Sequence, residues 1–355
     1  MTTVVVTGAG AGVGRAIAEA FAARGCDLAL LARSAARLEA AAAAVGELGG
    51  RALVLPTDVA DADAVEAAAE RAEQELGPID IWVNDAMATI FAPLHAIAAA
   101  EFQRATEVTY LGTVYGTMAA LRRMRPRDRG TIVNVGSALS YRAIPLQSAY
   151  CGAKFAIRGF TDSLRCELLH ERSRIHLTMV HLPAMNTPQF DWARNHTGHL
   201  PQPVPPVFQP EVAARAVVFA ACKRRREMWV GWPTVKAILA NKLAPGLLDR
   251  YLARYGYTSQ LATQRLPGDF AGNLFAPGEG HAGAHGRFDA IARSGDWEVW
   301  SSRHRDALAL GALALGGVGA WSVLRRLVGR GRAAAPSGAR SPRHGPRIGR
   351  LPSPR

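Results

Sequence analysis

The stretch "SAYCGAK", residues 148–154, sets a tyrosine four positions before a lysine with only small residues between them. Residues i and i+4 are neighbours on a helix face, so Tyr150 and Lys154 can project into one pocket. A free phenol has a pKa near ~10, too high for ready proton exchange at neutral pH. A nearby cation favours phenolate and pulls that value down, towards the range where an acid or base works best. The pair can therefore move a proton. The same spacing also arises by chance, so the chemistry depends on what the rest of the chain brings to it.

A second group of residues suits an anion. "TGAGAGVG", residues 7–14, follows the valine run Val4–Val6 and opens a helical stretch. Gly8, Gly12 and Gly14 give a G-x-x-x-G-x-G spacing. Such glycines permit a tight turn and close approach of a pyrophosphate to a helix N-terminus, where amide donors and the dipole favour negative charge. The next strand ends at "LLARS" with Arg33, and no acid follows until Glu39. A dinucleotide site using NAD usually has an acid near here for the ribose 2′-hydroxyl. Arg33 suits a 2′-phosphate instead, so NADP(H) is the preferred cofactor and NAD(H) the second choice. An ordinary surface arginine is the alternative reading of Arg33.

These groups need elements to hold them. "TVVVTG", "DLALLAR", "RALVLPTDV", "IDIWVND", "GTIVNVGS", "IHLTMVHLP" and "EMWVGW" read as strands, alternating with Ala-rich segments of helical periodicity. Strand–helix alternation implies right-handed crossovers and a parallel sheet covered on both faces. The expected fold class is α/β, a doubly wound, Rossmann-type parallel sheet with ligands at the carboxyl ends of its strands. Residues 1–240 form the expected catalytic domain, and 241–302 a C-terminal extension of helix ("LLDRYLARYG") and coil. Residues 303–327 form an apolar helix and 328–355 a disordered basic tail. "GHLPQPVPPVFQP", residues 198–210, is too proline-rich for a helix or a central strand and reads as a surface loop. Cys26, Cys151, Cys166 and Cys222 show no paired spacing, which fits a reducing cytoplasm without disulfides or zinc. His281 and His285 in "HAGAH" sit in Gly-rich coil, and no metal site is expected.

Taken together, the motifs resemble those of the short-chain dehydrogenase/reductase family across roughly residues 1–235. They occur in family order: "TGAGAGVG", then "DV" at Asp58–Val59, "VNDA" at Val83–Ala86, Ser137 after the fifth strand, and Tyr150 with Lys154. "LPAMNT" at Leu182–Thr187 resembles the segment that wraps the nicotinamide end. The resemblance implies cofactor contacts from Thr7, Gly8, Gly12, Val13, Gly14, Arg33, Asp58, Val59, Asn84, Ala86, Tyr150, Lys154, Pro183 and Thr187. It implies that Tyr150 is the general acid or base, that Lys154 lowers its pKa and binds the nicotinamide ribose, and that Ser137 polarises the substrate oxygen.

Three departures from the family pattern stand out. Asp85 and Met87 in "NDAM" replace an amide and a glycine, Thr109 stands where an asparagine commonly supports a water relay, and Ala184 replaces a glycine. The leading expectation is an NADP-dependent oxidoreductase acting on a carbonyl or alcohol group of a fairly apolar small molecule. The alternative is a catalytically weak dinucleotide-binding scaffold or sensor. Phe190 and Trp192 are candidate walls for an apolar substrate, with loop packing the alternative. Homo-oligomers are common in the family, though nothing in the sequence shows one here.

The formal net charge of +13 suggests nucleic acid until it is located. Nine arginines and no acid lie from Arg325 onward, leaving only +4 for the first 324 residues, so no nucleic-acid partner is expected. The uncharged run 307–324 would span ~27 Å as a helix at ~1.5 Å per residue, close to a ~30 Å hydrocarbon core. The basic tail suits an anionic membrane surface, whereas carrying it across would oppose the positive-inside tendency. The expectation is a cytoplasmic enzyme associated with the membrane through this helix, the span itself left open. A helix packed on the catalytic domain is the alternative.

Overall fold

In a computed structural model, all seven segments read as strands form one parallel sheet. The structure describes residues 1–267, 270–278 and 283–295. Contacts divide the chain between Arg303 and His304, and everything described below lies in the first unit. The strands are β1 (Thr3–Thr7), β2 (Asp27–Ala32), β3 (Ala52–Pro56), β4 (Ile79–Asn84), β5 (Thr131–Ser137), β6 (His176–Leu182) and β7 (Glu227–Trp229). Their spatial order is β7-β6-β5-β4-β1-β2-β3. The order reverses between β1 and β4, and ligands of open parallel sheets bind in the crevice at such a switch point.

Both faces of the sheet are covered. Val4, Val5 and Val6 are fully buried. Because side chains alternate along a strand, Val4 and Val6 join one apolar cluster and Val5 the other. The first cluster takes in α1 (Gly12–Ala22), α2 (Ala35–Glu47) and α7 (Pro210–Cys222). The second takes in α3 (Ala62–Leu76), α5 (Gly112–Met124) and α6 (Ser148–His170). Caps begin two of these helices where the sequence supplies them. Ser34 accepts from the Arg37 amide, and Asp61 accepts from the Asp63 and Ala64 amides at 3.0 Å each.

The helix preceding α5, α4 (Ala99–Thr106), runs into it through a single π-type turn, Glu107–Leu111. Glycines let this rod lie against the sheet. A Cβ at Gly116 would come within 2.2 Å of Asn84 Oδ1 and 2.8 Å of Trp82 Nε1.

Beyond β7, α8 (Trp232–Leu243) and α9 (Pro245–Tyr255) follow, the latter over the expected "LLDRYLARYG" helix. Leu261–Arg265 then pairs antiparallel with His199–Pro201 inside the proline-rich segment, so that loop carries a short strand. Residues 270–278 and 283–295 return to the carboxyl ends of the sheet strands. There the Asn273 amide donates to Trp192 O at 2.7 Å and the Arg293 amide to Val207 O at 2.9 Å.

The expectation of membrane association through a C-terminal apolar helix is corrected. Among the described residues, no helix is long and apolar enough to cross a membrane. The 303–327 segment, its 307–324 run and the 328–355 tail lie outside the described residues, as does His281.

Candidate active site

The glycine turn is shaped by sterics that only glycine satisfies. Gly8 and Gly12 have φ of +76° and +60°, a region that L side chains seldom enter. Gly14 has ordinary backbone angles but no room, since a Cβ there would lie 2.3 Å from Gly8 O. Thr7 braces the turn from below, its Oγ1 accepting from the Asp85 and Ala86 amides at 3.0 and 3.1 Å. The turn thus presents bare backbone and the start of α1 to a cavity of about 530 Å³ at the switch point. These features fit a dinucleotide pyrophosphate.

Of the residues expected to bind cofactor, Gly8, Gly12, Val13, Arg33, Asp58, Val59, Ala86, Tyr150, Lys154, Pro183 and Thr187 line this cavity. Ser137 lines it too. Four expected residues act elsewhere. Thr7 and Gly14 shape the turn from behind. Asn84 is spent in the core, accepting from Trp82 Nε1 at 2.8 Å and donating to Thr117 Oγ1 and Asn134 Oδ1 at 3.0 and 2.9 Å. Thr109 is wholly buried, its hydroxyl donating to Ala88 O and accepting from the Ala88 amide, both at 2.9 Å. It therefore ties the π-type turn to the loop after β4, and its one donor hydrogen is used there.

Ser137, Tyr150 and Lys154 come together on one wall. Ser137 ends β5, and Tyr150 and Lys154 stand one turn apart near the start of α6. The Ser137 side chain acts on the Tyr150 phenol and favours its ionised form. Lys154 is buried, its Nζ 2.6 Å from Val135 O and 5.5 Å from the Tyr150 ring centroid. Burial raises the Tyr150 pKa well above the ordinary phenol value, only partly offset by Ser137. The expected depression by the ammonium is not among the influences on Tyr150, where desolvation dominates. Burial also pulls Lys154 down to about 8, while the Asp85 carboxylate acts to raise it. Asp85 itself is pushed up to about 6 by burial, against the opposing influences of Lys154 and the Gly14 amide.

A buried pair behind the wall escaped sequence reasoning. His181, with no exposed surface, places Nδ1 3.2 Å from Ser137 O and Nε2 3.3 Å from Glu227 Oε2. Tyr141 donates to the same Glu227 oxygen at 2.6 Å. Although burial works upward on Glu227, the neighbouring His181 ring and the hydrogen bond from Tyr141 hold it down at about 2. Nothing local in the sequence pairs these residues, which lie on different strands and loops.

The other end of the cavity is mostly apolar. Leu139, Ile144, Phe190, Val204, Tyr251 and Leu252 line it, with Gln147 and Gln260 as polar points. These two amides bond each other at 2.7 Å. Phe190 and Trp192 both line the cavity, and Trp192 also carries Arg37 stacked 4.1 Å above its ring. Arg37 is a second cation in the cavity wall beside Arg33 that sequence reasoning did not single out. Among the described residues no His, Cys, Asp or Glu cluster could hold a metal. His285 instead bonds Glu211 and Asp289.

Comparison with known proteins is consistent with this geometry. The family model described as short chain dehydrogenase matches residues 2–197. The uncharacterized oxidoreductase YxnA of Bacillus subtilis is 31% identical over 261 residues, 73% of each chain. A fatty acyl-CoA reductase of Acinetobacter baylyi is 28% identical over 63% of this chain and 74% of its own. Among solved structures, an alcohol dehydrogenase from Thermococcus sibiricus complexed with 5-hydroxy-NADP is 27% identical, with a TM-score of 0.55 over 64% of this chain and 95% of that one. A metagenomic short-chain oxidoreductase in complex with NADP is 25% identical, with a TM-score of 0.55 over 64% and 96%.

Proposed function

Since the chain belongs to the short chain dehydrogenase family, we propose that it is an NADP-dependent oxidoreductase acting on a carbonyl or alcohol group of a fairly apolar small molecule. The observation that carries this reading is the convergence of Ser137, Tyr150 and Lys154 on a cavity that also holds the glycine turn. Arg33 and Arg37 in the same wall support a 2′-phosphate, as do the two similar structures that contain NADP or its derivative. The apolar end of the cavity supports an apolar substrate, and the similarity to a fatty acyl-CoA reductase points the same way.

Gly8, Gly12, Val13 and the α1 amides would hold the pyrophosphate, and Lys154 and Thr187 the nicotinamide end. Bound NADPH supplies the hydride that reduces a carbonyl carbon. Tyr150 gives its hydroxyl proton to the carbonyl oxygen, so that a C–H and an O–H bond replace the C=O double bond. Tyr150 is protonated at neutral pH, as a proton donor must be, although burial makes the phenol a weaker acid. Ser137 donates a hydrogen bond to the same oxygen, a preorganised donor for the charge that develops there. Lys154, as the cation beside the phenol, stabilises the tyrosinate left behind.

NADPH consumption against a panel of ketones, aldehydes, quinones and lipid carbonyls tests the proposal. Turnover of at least one apolar carbonyl that is lost in Tyr150→Phe is the expected result. One observation favours the scaffold or sensor alternative: the one hydrogen of the Thr109 hydroxyl is donated to Ala88 O. NADPH binding without turnover of any carbonyl would select that alternative.

A further inference from the structure

The segment 271–278 lies on the adenosine end of the cavity and uses groups that a dinucleotide would use. Arg33 Nη2 donates to Asn273 O at 2.5 Å and its Nη1 to Leu274 O at 3.2 Å. Arg37 donates to Gly278 O. The Gly12 amide, in the glycine turn, donates to Gly283 O at 3.1 Å. That amide has a single hydrogen, so it serves either the carbonyl or a phosphate oxygen. Asp58, expected at the adenine, is paired with Arg104, whose Nε also reaches Leu274 O at 3.4 Å. Leu274 is buried, in the same apolar cluster as Val59.

We propose that this segment is an internal competitor for the cofactor: residues 271–278 dock on the groups of the adenosine subsite, and NADP(H) must displace them to bind. The inference rests on the cofactor reading above and adds a regulatory contact to it. The contacts are suited to exchange. Four carbonyls take these bonds from two arginines and a helix-end amide, and a phosphate offers the same donors a full negative charge and bidentate geometry that a carbonyl lacks. Only the open fraction of the protein takes cofactor, so the apparent affinity is the intrinsic one scaled by that fraction. The glycine at 272 is built for the docked form. Its φ is +70°, and a Cβ would meet Arg194 Cα at 2.8 Å.

Two measurements on the full chain test this. The first is hydrogen–deuterium exchange of residues 271–278 with and without NADPH. Faster exchange on NADPH addition is expected, notably at the Asn273 amide now bonded to Trp192 O. The second is NADPH affinity of Leu274→Ser by fluorescence titration, expected to be about tenfold tighter than that of the unaltered chain because the closed form is weakened. Protection or unchanged exchange on binding, or an affinity in Leu274→Ser that is equal or weaker, overturns the proposal while leaving the cofactor assignment standing. Absence of NADPH binding in both proteins overturns both readings.

Discussion

Replacing Asp85 by asparagine should move the alkaline limb of the reduction rate to lower pH. Asp85 stands on the loop after β4, lines the cavity, and is, among the described residues, the acid that acts on Lys154 to raise its pKa. Burial holds Lys154 at about 8 even with that help. An opposite charge within ~4–6 Å is worth roughly 1–3 pKa units, so its loss should bring Lys154 to about 7 or below. At pH 7 the charged fraction would then fall from about nine-tenths to half or less, following the titration of a single group. Turnover should therefore drop about twofold or more at pH 7 and remain closest to that of the unaltered enzyme near pH 6. Thermal stability is a poor readout here, for a reason of sign. A raised carboxyl pKa costs stability that is absent below the unfolded value of 3.8 and fully present above about 6, so the substitution removes that cost at neutral pH. The same substitution strips Lys154 of its counter-charge and deepens a lysine penalty that grows as pH falls below 10.5. The two effects oppose each other. The assay is kcat against pH from 6 to 9 with NADPH saturating, and an alkaline limb at the same pH in Asp85→Asn refutes the coupling.

Tyr150→Phe keeps the ring and loses the proton donor, so turnover should fall by at least ~10²-fold while NADPH titration shows binding retained. Arg33→Ala should erase most of an NADPH-over-NADH preference of roughly tenfold or more, the equivalent of a charge-assisted bond worth ~1.5–3 kcal/mol. Equal affinities for the two cofactors in the unaltered protein would contradict the role given to Arg33. Gly14→Ala would force a Cβ to 2.3 Å from Gly8 O, so the turn must open. The expected cost is about 1–3 kcal/mol of stability with loss of NADPH binding, measured by denaturant unfolding and fluorescence titration. Gly116→Ala would press on Asn84 and Trp82 and should destabilise by a similar amount. Gly116 does not line the cavity, so cofactor affinity measured on the folded fraction should change little.

Local pattern determined most of the fold. Seven apolar runs separated by Ala-rich helical periods pack as a sheet covered on both faces, and all seven are strands of the one parallel sheet. Strands such as Val4–Val6, apolar at every position, carry that information in the residues themselves. The glycine turn and the Tyr150–Lys154 spacing were equally legible, because each depends on neighbours within one turn or one loop. The side chains of Asn84 and Thr109 were not. Their identities suggest the site, but their partners Thr117, Asn134 and Ala88 lie on other elements and draw them into the core. The balance of charge in the site was also beyond sequence. Which effect wins on Tyr150, a neighbouring cation or loss of water, depends on how many atoms crowd the phenol, and that is a property of the packed structure. Most of all, only the tertiary structure could bring Asn273, Leu274 and Gly278 onto Arg33 and Arg37. More than two hundred positions separate them in the chain, and their contact through backbone carbonyls leaves no signature in side-chain identity. Periodicity reports what a residue faces nearby, whereas such contacts exist only after the whole chain has closed on itself.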